Sequence, residues 1–304
     1  MINRLFGDVY QVEARIGGGA FSEVYRVMNR KDGKKYAAKF EDVKSNHQEL
    51  YAEHKILLRV HLQNNAVGFT KQYYYGVTNG MNMLVIDLLG ESLQEKLELY
   101  GGKFSLKTTL MIGDQILKRI EHLHKVKVIH RDLKPSNMIV GSGINTQTIY
   151  LVDFGKSKKF MDSEGNHIQI KNNKLPVGNV RYTSVEADKG HDQSRKDDLE
   201  ALIYIMVYFL KSTLPWKGLS ATTICEKYKL VRSTKAKTTP RILCGGLPQE
   251  FIEMLEYVQL LKFQETPDYN LIRECIKKMM NVNKYPMDYI YDWKIKNLDQ
   301  KAAH

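Results

Sequence analysis

The hydrophobic period of the chain changes near residue 90, and that change restricts the fold more than any other feature. Before it, Tyr10, Val12, Ala14 and Ile16 alternate with Gln11, Glu13 and Arg15, the period of a half-buried strand. Three glycines follow, then a short strand at Val24–Val27, a Lys-Asp-Gly turn at 31–33 and a third strand near Tyr36–Phe40. One helix is predicted over about 46–61, and two more strands around Gln72–Gly76 and Asn82–Leu88. After Gly90 the period is helical: Leu110, Leu117, Ile120 and Leu123 recur across 106–125. Residues 197–210 are apolar nearly all round, which marks a buried helix. Pro248 opens another, with Phe251, Met254, Leu255, Val258 and Leu261 on one face. Such a chain is neither all-β nor all-α. It reads as α+β, with a small β-rich part at 1–89 (five strands plus one helix), a larger, mainly helical part at 90–304, and a boundary near 87–91.

Composition removes several classes of function. A length of 304 residues exceeds one ordinary core, and 43% hydrophobic residues exclude global disorder. The longest apolar run, Ala201–Leu210, is ten residues, half of the roughly 20 that a bilayer helix needs, so no membrane span is expected. The N-terminus mixes apolar and charged residues and does not read as a secretory signal. Cys225, Cys244 and Cys275 are odd in number and far apart, so they form neither a disulfide framework nor a zinc site. A reducing, intracellular setting, cytoplasm or nucleus, fits best. Lys and Arg number 46 against 34 Asp and Glu, a net charge of +12, of which +9 lies in residues 90–304. Such charge attracts nucleic acid, acidic lipid or acidic protein, or merely keeps a surface solvated, and composition does not choose among these. No helix-turn-helix, zinc or stacking-aromatic motif supports a nucleic-acid partner.

Three segments carry chemistry. Ile16-Gly17-Gly18-Gly19-Ala20-Phe21-Ser22-Glu23-Val24 could let backbone N–H groups close over phosphate, although alone it reads first as a hairpin turn. Lys39 follows small and apolar residues in Tyr36-Ala37-Ala38-Lys39, and Glu53 lies on the apolar stripe of its helix between Leu50 and Leu57. A carboxylate there needs a cation or must protonate, unless it sits at the stripe's wet edge. The decisive segment is His130-Arg131-Asp132-Leu133-Lys134-Pro135-Ser136-Asn137, set between apolar strands, with Asp153-Phe154-Gly155 following the apolar Ile149–Val152. Several uncommon polar signatures at compatible spacing seldom coincide by chance.

At these residues the chain resembles a protein kinase, and more narrowly the casein kinase 1 family of Ser/Thr protein kinases. The narrower resemblance is carried by Leu88-Leu89-Gly90-Glu91-Ser92-Leu93, Arg181-Tyr182, Ala187 with His191, Gln193-Ser194-Arg195-Lys196-Asp197-Asp198-Leu199-Glu200, Leu214-Pro215-Trp216-Lys217-Gly218-Leu219 and Pro267-Asp268-Tyr269. It spans about residues 8–293 and implies the two-lobed kinase fold, one catalytic domain with a β-rich N-lobe and a helical C-lobe. It also implies ATP and Mg²⁺ as cofactors.

The resemblance assigns roles as well. Asp132 would accept or orient the proton of the substrate hydroxyl, and Lys134 would stabilise charge on the transferring phosphoryl group. Asn137 and Asp153 would hold Mg²⁺. Lys39 would contact the α- and β-phosphates, oriented by Glu53, under the glycine-rich segment 16–24. Ile16, Val24, Ala37 and Ile139 would sandwich adenine, with Ile86 behind it and the backbone of Asp87 and Leu89 reading its edge. Arg181, Gly218 and Lys227, with Lys174 contributing, would bind a phosphate on a primed protein substrate. The partners implied are acidic or pre-phosphorylated proteins, met by a monomer that is active without phosphorylation of its activation segment.

The chain departs from the family pattern at several points. Ser22 replaces the third loop glycine, Lys156 follows Asp-Phe-Gly, and Asn179 stands where a Thr usually contacts the catalytic Asp and Lys. These are the sole support for a pseudokinase or scaffold of the same fold. Ser184-Val185-Glu186 carries an acidic residue that suggests a buried Glu186–Arg273 bridge supporting the substrate loop.

Overall fold

The computed structural model describes residues 1–19, 22–175 and 177–295. It divides into two compact units: Met1–Gly90 with Ile139–Ser157, and Glu91–Met138 with the chain from Lys158 onward.

The first unit is built on strands β1 (Leu5–Phe6), β2 (Tyr10–Gly18), β3 (Glu23–Asn29) and β4 (Lys35–Asp42), helix α1 (Glu49–His61), and strands β5 (Gln72–Thr78) and β6 (Met81–Asp87). The strands form one antiparallel sheet in the order β1-β2-β3-β4-β6-β5. Five of them lie where alternation places them. The sixth, β1, is two residues long, too short to show a period, and it pairs Leu5 with Gln11 and Phe6 with Tyr10. The sheet therefore has six strands where the sequence predicts five.

The pleat sorts side chains to the two faces of the sheet. Tyr36, Ala38 and Phe40 of β4 join Phe6, Tyr10, Val12, Tyr25, Val27, Met83 and Val85 in an apolar cluster on one face. Ala37 and Lys39 point the other way. Cross-strand pairing sets Val24 and Leu84 beside Lys39, and Arg26 and Ile86 beside Ala37.

The second unit is mainly helical: α2 (Leu93–Leu99), α3 (Leu106–Lys125), α4 (Val185–Asp188), α5 (Arg195–Lys211), α6 (Ile224–Lys237), α7 (Pro240–Cys244), α8 (Gln249–Leu260) and α9 (Tyr269–Val282). Short strands β7 (Val128–Ile129) and β10 (Lys158–Lys159) pair with each other here, while β8 (Met138–Val140) and β9 (Ile149–Leu151) pair in the stretch that from Ile139 belongs to the first unit. Helix starts follow local chemistry. Ser92 and Thr223 each close a capping box, with Glu95 and Glu226 respectively, worth about 1 kcal/mol apiece. Helix α5 is buried on almost every side, as its sequence predicts, and packs against α3 and α8.

Among the described residues no helix is long and apolar enough to cross a membrane. All three cysteines are free thiols.

Candidate active site

The first unit holds a lysine between two carboxylates. Lys39 leaves the apolar β4, and its Nζ donates to both oxygens of Glu53 on α1, at 2.7 and 2.8 Å. Asp153 Oδ1 lies 3.6 Å from the same Nζ. Burial would push the Lys39 ammonium down, but the carboxylates of Glu53 and Asp153 outweigh it and its pKa is raised. Glu53 is pushed up, by burial first and by the like charge of Asp153, against the pull of Lys39. Two carboxylates share one ammonium. Asp153 sits at φ +69°, a left-handed backbone that Asp tolerates better than most residues. Gly155 meets α1 so closely that an added Cβ would stand 2.9 Å from Glu49 Cβ.

The sheet face around Lys39 carries the other residues singled out from sequence. Gly17 pairs with Val24 and Gly18 with Glu23, and the Gly19 amide donates to Ser22 O at 2.8 Å, closing a tight hairpin. Ala20 and Phe21 lie outside the described residues. Ala37 and Ile86 are buried neighbours, and Ile16 stands exposed near the end of β2. Asp87 is held by the Lys71 amide at 2.6 Å and the Tyr73 hydroxyl at 2.7 Å. Ser142 Oγ donates to Leu88 O and the Gly90 amide to Val140 O. Residues 87–90, Leu89 among them, are thereby tied to the segment that begins with Ile139.

The second unit holds Asp132, Lys134 and Asn137 on the loop between β7 and β8. Lys134 Nζ donates to Asp132 Oδ2 at 3.1 Å, and Asn137 Nδ2 donates to the Asp132 carbonyl at 2.9 Å. The Asn137 amide oxygen is left as the acceptor. Gly178 packs against this loop at φ +104°, and a Cβ there would collide with Arg131 O at 2.3 Å. Asn179 Oδ1 accepts from the Arg181 amide at 3.0 Å, so its side chain shapes its own turn.

Asp198, to which the sequence assigns no role, anchors this loop. Its oxygens accept from the amides of His130 at 2.8 Å and Arg131 at 2.9 Å, and lie 3.0 Å from His124 Nε2. Burial works against its ionisation, yet His124 and the Arg131 amide hold its pKa below the usual range. Burial lowers the His124 pKa, and the Tyr269 hydroxyl lies 2.7 Å from its Nδ1. A neutral imidazole donating to Asp198 and accepting from Tyr269 satisfies both contacts. The available signal was a pair of aspartates opening an otherwise apolar helix.

The Glu186–Arg273 bridge does not form. Glu186 is half-exposed and takes Lys189 Nζ at 2.7 Å and His191 Nδ1 at 2.6 Å, while Arg273 on α9 turns to Glu121 of α3 at 2.6 Å. Each residue finds a nearer partner: Lys189 follows Glu186 by three positions, and α9 packs along α3. The residues predicted to bind substrate phosphate all lie in the second unit. Trp216 Nε1 donates to Arg181 O at 2.8 Å, which links Arg181 to the loop containing Gly218, at φ +78°. Lys227 is in the first turn of α6, and the Lys174 amide donates to Gly190 O.

An antiparallel sheet with a Lys–Glu pair, followed by helices and a loop bearing Asp, Lys and Asn, defines an α+β protein of the kinase fold. A match to the protein kinase domain family spans residues 10–284, and the chain belongs to that family. Domains of this family generally use ATP with Mg²⁺. Asp153 in the first unit and Asn137 in the second each offer a hard oxygen atom of the kind such an ion prefers. Among the described residues no group of three or more His, Cys, Asp or Glu could hold a metal by itself.

Proposed function

We propose that this chain is an active Ser/Thr protein kinase of the casein kinase 1 type, a monomer that phosphorylates acidic or phosphate-primed proteins. The observation that carries the reading is the assembled Lys39–Glu53 pair, with both carboxylate oxygens on one ammonium beside Asp153. Phosphoryl transfer asks mainly for positioned charge, and a lysine locked by two short bonds is positioned before substrate arrives. Bound Mg²⁺, held by Asp153 and Asn137, would neutralise phosphate charge.

The chain's own residues then divide the work. Lys39 binds the α- and β-phosphates. Gly17, Gly18 and Gly19 carry no side chain to bar phosphates from the backbone, and Val24, Ala37, Ile86 and Ile139 offer adenine an apolar slot, edged by the backbone of Asp87 and Leu89. Asp132 takes the proton from the attacking hydroxyl, and Lys134, already bonded to Asp132, steadies the transferring group. Arg181 and Lys227, with Gly218 and Lys174, receive a phosphate or carboxylate of the peptide. The excess positive charge of residues 90–304 favours that class of partner.

The test is transfer from radiolabelled ATP with Mg²⁺ to casein and to matched primed and unprimed peptides. Wild type should exceed an Asp132→Asn control by at least about a hundredfold. Equal counts from both would overturn the enzymatic reading and leave a binding scaffold.

A further inference from the structure

With Glu186 and Arg273 turned elsewhere, the segment 179–188 is held by a residue that sequence inspection passes over. Helix α6 is largely exposed, and Val231 and Lys235 are its buried positions. The Lys235 side chain is 0% exposed. Its Nζ lies 2.8 Å from Val180 O, 2.7 Å from Thr183 O, 2.6 Å from Asp188 Oδ2 and 3.2 Å from Thr183 Oγ1. The three N–H bonds of an ammonium are thus matched by two backbone carbonyls and one carboxylate. Thr183 Oγ1 donates in turn to Asp188 Oδ1 at 2.7 Å. The rings of Tyr204 and Trp216 stand 5.9 and 5.4 Å from the charge.

Other bonds complete the anchoring of this backbone. The Arg181 carbonyl is fixed by Trp216, and the Tyr182 and Thr183 amides both donate to Asn179 O. Most of the main-chain polar groups of 179–183 are therefore bound. The Arg181 side chain stays outside that framework, its guanidinium over the rings of Tyr182 and Tyr208 at 5.9 and 5.8 Å.

A wholly buried ammonium is costly, and an apolar side chain of the same length often replaces such a pair without loss of stability. What an apolar side chain cannot do is hold two carbonyls at fixed places. We infer that Lys235 is a positioning residue for substrate recognition, clamping the backbone of 180–183 so that the Arg181 guanidinium meets the anionic group of a peptide in one orientation. This rests on the proposed phosphate-primed kinase reading for its function, though the clamp itself does not.

The test uses the full chain as wild type, Lys235→Met, and Lys235→Met with Asp188→Leu, which removes the carboxylate the single change leaves buried without its cation. In both variants KM for a primed peptide should rise about tenfold through the lost charged hydrogen bonds, while KM for ATP stays within about twofold. Amide exchange at Tyr182 and Thr183 should quicken in both. The double variant should recover the Tm lost by the single one without recovering the peptide KM. Recovery of both together would show that the lysine serves stability alone and would overturn the inference, as would a parallel rise in KM for ATP. If the single variant does not fold, the double variant against wild type decides on the same readouts. If wild type transfers no phosphate, the kinase reading has failed separately. Exchange at residues 179–184 and calorimetric binding of the phosphopeptide then decide, and unchanged values in the double variant would overturn the clamp.

Discussion

Among the described residues two lysines are withdrawn from water, one in each compact unit, and they are held differently. Lys39 in the sheet faces two carboxylates, Glu53 and Asp153, and its pKa is raised in spite of burial. Lys235 in the helical unit faces one carboxylate and two neutral carbonyls. Its burial is the larger influence and its pKa is lowered, with Asp188 restoring part of the loss. The first arrangement leaves an excess of negative charge, which favours a further cation beside it. The second is locally neutral and spends its donors on the main chain, which suits a fixed joint. The same ammonium serves as an electrostatic device in one setting and as a bracket in the other.

The comparison can be broken by removing each charge. If Lys39 contacts the phosphates as proposed, Lys39→Met should lower kcat by at least about a hundredfold, with the loss appearing equally on primed and unprimed peptides. A loss confined to primed peptides would place Lys39 with substrate recognition and dissolve the contrast. Arg181→Ala combined with Lys227→Ala should act on the other side: turnover of a primed peptide should drop about tenfold or more, from lost charge-assisted bonds, with far less change on an acidic unprimed peptide. Equal loss on both peptides would mean that these cations do not read phosphate.

A third buried charge sharpens the point. Asp197, at the start of α5, has a hydroxyl (Ser184) and a backbone amide (Ser194) as partners, not an ammonium. Burial pushes its carboxyl up to about 7 from 3.8. The folded protein therefore keeps this proton to higher pH than the unfolded chain does, and stability falls as pH rises from about 4 to about 7. Asp197→Asn removes that dependence. Its stability relative to wild type should improve by about 2–3 kcal/mol between pH 5 and pH 8, read from urea midpoints at the two values. A difference that does not change with pH would show Asp197 ionised throughout.

Much of the site was legible because its residues break a local pattern. Glu53 sits on an apolar stripe, Lys39 follows small and apolar residues of its strand, and Asp132, Lys134 and Asn137 crowd a loop between buried strands. Together they point to one site, although Lys39 or Glu53 alone could equally face water. Lys235 breaks no pattern, since it lies in Thr234-Lys235-Ala236-Lys237 on a polar helix, where a lysine is expected to face water. Two of its partners are main-chain carbonyls, which every residue carries and which leave no mark in a sequence. Glu186 shows the converse error: a carboxylate that looks as if it needs a distant arginine finds Lys189 and His191 within five positions.

The sequence by itself determined the α+β class, the change from strand to helix near Gly90, and membership of a family whose match spans residues 10–284. The first two follow from hydrophobic period, a property of neighbours along the chain, whereas the Lys39–Glu53 pair was implied only by the family resemblance. The tertiary structure alone decided that Asp198 holds the loop carrying Asp132, that Arg273 belongs to Glu121, and that Lys235 clamps Val180 and Thr183. Those contacts join residues 52 to 152 positions apart. Which distant polar group a buried charge finds depends on how helices pack, and packing is settled by the whole core together.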